Sequence, residues 1–225
     1  MLTIARRPCL PLLAALGALT LACATAAQAV PLSPGDFVSP LPGTTVAAEP
    51  QLAGTVVEDV MRSVSGTFAQ SGQSFSLEIQ DRVVLADDGT YDFYYRVTVL
   101  DKPTGYPVTL RRDGLAGFAT NAGWRIDGLG DEGVQSATRS VDGNAVQFDF
   151  GFELNEGESS RFFFVDTDAT AYAESGTGTV DLTPSHLETG VDSFTTFAPV
   201  PEPSTAALGL LGLAALGLAG CRRQR

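Results

Sequence analysis

The middle of this chain contains no cysteine. Of 225 residues only Cys9, Cys23 and Cys221 carry a thiol, and all three lie near the ends. A disulfide framework or thiolate metal site is therefore excluded from the central segment, which must be held by packing. Histidine and lysine are almost as scarce, with His186 and Lys102 the single examples, leaving little for acid–base or covalent catalysis. Positive charge is short too, with 14 Lys and Arg against 26 Asp and Glu. Residues 30–200 hold nine of the basic and 25 of the acidic residues, a net charge of −16 over 171 positions. Such a segment has no means of neutralising a phosphate backbone, which argues against nucleic-acid binding. Its length suits one domain burying roughly 70% of its unfolded surface.

The apolar residues are unevenly spread. Residues 10–22 and 206–220 are almost purely Leu, Ala and Gly, whereas all 13 Phe, all 5 Tyr and Trp124 lie between them. At the N-terminus, Arg6 and Arg7 precede the apolar run, and small residues end in Ala27-Gln28-Ala29. These are the three regions of a secretory signal peptide over 1–29, with cleavage by signal peptidase expected between Ala29 and Val30. About 13 apolar residues reach only ~20 Å as a helix, too short for a permanent span. The alternative of a lipoprotein acylated at Cys23 meets Thr20 where leucine is usual.

The other end reads Pro201-Glu202-Pro203, then an apolar run from Ala206 to Gly220, then a basic close with Arg222, Arg223 and Arg225. This order over 199–225 resembles the PEP-CTERM sorting signal of Gram-negative bacteria that make an extracellular polysaccharide. The resemblance implies recognition of Pro201, Glu202 and Pro203 by exosortase, a membrane-embedded transpeptidase that removes the tail after export. Elementary physics agrees with a transient insertion. Fifteen residues rise ~22 Å, and Gly209, Gly212, Gly217 and Gly220 weaken the helix. The arginines hold that end on the cytoplasmic side as a stop-transfer tail.

Between the ends the apolar period is two. Tyr91, Phe93, Tyr95, Val97 and Val99 alternate with Asp92, Tyr94, Arg96 and Thr98. Val146, Phe148, Phe150, Phe152 and Leu154 alternate in the same way with Gln147, Asp149, Gly151 and Glu153. Both read as half-buried strands, while the unbroken Phe162 to Val165 predicts a central strand covered on both faces. Asp87-Asp88-Gly89, Asp142-Gly143-Asn144 and Asn155-Glu156-Gly157-Glu158 supply hairpin turns. Weaker strands are expected near 54–60, 64–69, 75–85, 115–120, 134–139, 177–182 and 193–197. The expected fold is all-β, an antiparallel β-sandwich over 51–198, jelly-roll-like or immunoglobulin-like. An N-terminal signal helix and a short hydrophobic C-terminal helix flank it. Residues 30–50, with five prolines, read as an extended lead-in.

Site chemistry is sparse. His186 has Ser185 beside it and Asp181 nearby, but no Gly-x-Ser-x-Gly elbow accompanies them, and 25 acidic residues offer no distinguished pair for glycoside hydrolysis. Calcium finds weak candidates in Asp87, Asp88 and Asp92, with Asp127, Asp131, Glu132, Asp166 and Asp168 in further acidic groups lacking EF-hand spacing. Trp124, Tyr94 and Tyr106 would have to be exposed to form a carbohydrate platform. The expectation is a non-catalytic exported protein of the cell envelope, surface or polysaccharide matrix, needing no cofactor. Its partners are signal peptidase, exosortase and an exopolysaccharide. The alternatives are a carbohydrate-binding module and, behind it, a secreted hydrolase.

Overall fold

The structure, a computed structural model, describes residues 28–184 and 190–202. Two sheets share one core. The first holds β1 (Val30–Pro31), β3 (Gly43–Thr44), β4 (Thr55–Thr67), β5 (Ser74–Leu85), β6 (Tyr91–Asp101), β8 (Thr120–Arg125) and β11 (Phe163–Thr167), in the order β1-β8-β11-β6-β5-β4, with β3 beside β8. The second holds β2 (Phe37–Val38), β7 (Thr109–Asp113), β9 (Ser136–Arg139), β10 (Ala145–Asp149), β12 (Tyr172–Asp181) and β13 (Val191–Pro199), in the order β13-β12-β7-β10-β9-β2. All pairs are antiparallel except β3 with β8.

Period-two alternation explains the layering. Leu77 and Ile79, then Tyr95, Val97 and Val99, then Phe163 and Val165 point inward from the first sheet. They meet Leu110, Ala137, Val146, Phe148 and Val180 of the second in one buried cluster. As the phenylalanine run predicts, β11 lies between β6 and β8, and Phe163, Phe164 and Val165 are fully buried. The two sheets are also tied by a polar chain. Tyr95 and Thr196 hydroxyls lie 2.8 Å apart, Thr196 donates to Asp81 at 3.0 Å, and Arg62 pairs with Asp81 at 3.2 Å.

Several local expectations are corrected. The runs 54–60 and 64–69 form one strand, β4, and 115–120 is a loop, because β7 and β8 fall on either side of it. The strand at Val146 stops at Asp149, so Phe152 is 62% exposed while Leu154 returns to the core. The Asn155–Glu158 turn closes no hairpin, because β10 and β11 belong to different sheets. Asp92 and Tyr94, expected on a solvated face, are buried. Tyr94 is covered by Leu52, in the 3-10 turn Pro50–Ala53 that ends the N-terminal segment, where Leu52 packs with Val84, Tyr94 and Phe164. The rest of that segment pairs with both sheets through β1, β2 and β3 and puts Leu32 and Leu41 into the main core. Both flanking helices lie outside the described residues.

Candidate functional site

The sorting end grows directly out of the sheet. β13 is the outermost strand of the second sheet and runs to Pro199. One residue later Val200 donates its N–H to Ala171 O at 3.0 Å, and the Glu202 carboxylate accepts from the Thr170 hydroxyl. Pro201 and Glu202 are both exposed. Pro201 fixes φ near −65° and has no N–H, so the ladder cannot continue past Val200. Pro203, Arg222, Arg223 and Arg225 lie outside the described residues. At the opposite end Val30 opens β1, and Ala29 donates its N–H to the buried Glu49 carboxylate at 2.9 Å. The contacts from Thr170 and Ala171 carry no signature in the sequence, since they come from the loop before β12.

A model of the PEP-CTERM protein-sorting motif matches residues 199–224. The chain carries a PEP-CTERM sorting signal. The PEP-CTERM match begins at the last residue of β13, so no linker separates folded domain from signal. The motif implies export, sorting to the cell surface or exterior, and exosortase as processing partner. No curated protein and no solved structure matches the chain. Among the described residues no helix is long and apolar enough to cross a membrane.

The calcium candidates are spent locally or turned inward. Asp88 accepts from the hydroxyl and the N–H of Thr90, at 2.6 and 3.0 Å, which hold its carboxyl below the usual range. Asp87 stays on the exposed turn. Asp92 is buried, and one step past the Val165–Phe93 pair it faces Asp166. Burial, and then the Asp166 charge, push the Asp92 carboxyl up to about 9. Asp166 is raised by burial as well, although Asn121 donates to it at 2.9 Å. Asp127 accepts from Arg125, Asp131 from the Ser159 N–H, and Asp168 from the Ala119 N–H. Among the described residues no three His, Cys, Asp or Glu side chains converge as metal ligands.

The aromatic candidates form no common exposed face. The Trp124 indole donates to Leu41 O at 3.0 Å and packs against the core. Tyr106 lies 4.6 Å from the Phe68 ring, and Tyr94 stacks on Phe164 at 5.0 Å. Of the sequence around His186, Asp181 accepts from the Thr183 N–H at 2.7 Å, while Ser185 and His186 lie outside the described residues.

Proposed function

We propose that this protein is exported by a Gram-negative cell, trimmed by signal peptidase and exosortase, and placed at the surface or in the extracellular polysaccharide matrix. There it acts as a non-catalytic structural or interaction domain. The carrying observation is the sorting motif joined without a linker to the outermost strand of the two-sheet domain. A membrane enzyme reading Pro201, Glu202 and Pro203 handles a chain whose folded part begins within a few residues, so domain and motif reach the outer membrane-facing space together. The role at that location is supported by the acidic, cysteine-free composition and by the internal use of Asp127, Asp131, Asp168 and Asp181 in loop hydrogen bonds.

Replacing Pro201, Glu202 and Pro203 together with alanine tests the reading in the native host. The expected product keeps the tail and stays with the membrane fraction, while the wild type loses it. Wild-type protein recovered outside the cell with Arg222 to Arg225 attached would overturn the proposal.

A further inference from the structure

Three of the nine arginines and lysines of the central segment meet on the outer face of the seven-stranded sheet. Arg82 on β5 stands opposite Tyr94 on β6, and Gln80 opposite Arg96. Arg125 donates its backbone N–H to Phe162 O at 2.7 Å. Arg96 therefore lies between Gln80 and Phe162, with Arg125 beyond. The Arg82 and Arg96 guanidinium groups sit 4.5 and 5.3 Å from the centroid of the Phe162 ring. All six residues line one cavity of about 460 Å³.

Two of these arginines are already neutralised. Arg82 pairs with Asp59 and Arg125 with Asp127, each at 2.7 Å. Although burial opposes it, Arg82 holds the Asp59 carboxyl below its usual range, and Arg125 does the same for Asp127. Among the described residues the Arg96 guanidinium has no ion-pair or hydrogen-bond partner. The carboxylate that feels its charge, Asp59, already accepts from Gln80 at 2.8 Å and from Arg82. In a domain of net charge −16 this is an uncommitted guanidinium backed by an aromatic ring, at a cavity large enough for one or two sugar rings.

We infer that this cavity binds a hydroxylated carboxylate of the sugar-acid class, its carboxylate on Arg96. A guanidinium presents parallel donors that match the two oxygens of a carboxylate. Asp127 on the same wall is an acceptor for hydroxyl groups, and Leu52, Val56 and Leu129 supply apolar surface for the C–H face of a ring. One free positive charge suits a monoanion. The inference rests on this cavity alone, so its failure leaves the sorting proposal untouched, and a failure of sorting leaves the cavity intact.

Purified full-length protein in mild detergent is titrated with a galacturonate trimer, a neutral galactose trimer and inorganic phosphate. The expected result is saturable binding of the galacturonate trimer, roughly tenfold or more tighter than either alternative, and weakened by salt. Arg96→Gln should weaken it by roughly tenfold or more, and Arg96→Lys by less. In the wild-type protein the Arg96 side-chain NMR signal should shift on adding the trimer, a readout that does not depend on a variant folding. No saturable binding, equal binding of the neutral trimer or of phosphate, or an Arg96 signal that stays put would each overturn the assignment.

Discussion

Arg139 and Arg112 carry the same guanidinium into the interior with opposite outcomes. Arg139 donates to Leu32 O at 2.7 Å, Phe118 O at 2.8 Å and Gly143 O at 3.1 Å, closing loops that have no ladder partner. Arg112 is wholly buried between the sheets, 4.1 Å from the Phe93 ring and 5.2 Å from the Tyr95 ring, and none of its three guanidinium nitrogens has a hydrogen-bond partner among the described residues. Burial lowers the pKa of both. Arg139→Leu should cost about 2–4 kcal/mol in urea unfolding, because several buried carbonyls lose their donor. Arg112→Met should cost less, since no hydrogen bond is lost and Asp81 keeps Arg62 and Thr196. The reverse order would show that Arg112 holds the sheets together. Asp92 makes stability depend on pH. Unfolded, it ionises near 3.8; folded, it keeps its proton to about 9. The folded chain thus binds more protons across that window, and this contribution is full below the unfolded value and lost as pH rises through the folded one. Asp59, Asp88 and Asp127, all lowered, act oppositely below about pH 4. Melting temperature should fall from mildly acidic toward alkaline pH. Asp92→Asn should flatten that slope and raise the alkaline melting temperature, its amide able to donate to Asp166. An unchanged slope in the variant would place the titrating group elsewhere.

At the scale of elements, the register of β10 and the seat of the 3-10 turn are open to direct test. Phe150 is fully buried beside Phe163 at 5.2 Å, while the neighbouring Asp149 only accepts from the Gly151 N–H at 2.7 Å. Phe150→Asp should abolish cooperative unfolding, as a buried unpaired carboxylate costs several kcal/mol against a total of about 5–15 kcal/mol. Asp149→Asn, which keeps the accepting oxygen, should leave the urea midpoint nearly unchanged, and equal effects from the two would refute the register. Gly54 joins the 3-10 turn to β4, and a Cβ there would stand 2.2 Å from Leu85 O. Backbone cannot yield as a side-chain tip can, so Gly54→Ala should lift Leu52 off Tyr94 at a cost of about 1–3 kcal/mol. The check is faster hydrogen exchange at Val84 and Phe164, confined to that patch. The β9–β10 hairpin turns at Gly143, with φ of +71°, as the Asp-Gly pair of its sequence requires.

For the molecule as a whole, the absence of a thiol between Cys23 and Cys221 means that packing alone must hold the exported domain. The processed protein should show a strand-dominated circular dichroism spectrum with the same melting temperature in buffer, in reductant and in chelator. A loss of structure in chelator would reveal a cation holding the fold. Intact mass should place its first residue near Val30 and its last near the Pro-Glu-Pro motif.

The sorting motif was legible without coordinates, because such a signal is read by its local order of proline motif, apolar run and basic residues, and local order is what a sequence displays. The same holds for β5 and β11, whose alternation or unbroken apolar run states which faces are covered. Tertiary structure alone decided what covers the second face. Asp92 and Tyr94 alternate as solvent-facing residues should, yet both are buried, Tyr94 beneath Leu52, which lies about 40 positions earlier. Arg82, Arg96 and Arg125 are spread along the chain, and only the pairing of β5 with β6 and of β6 and β8 with β11 brings them to one cavity. Alternation reports only that two faces differ. Which distant residues lie across a face depends on strand order, and in this fold strand order is set by contacts between residues far apart in the chain.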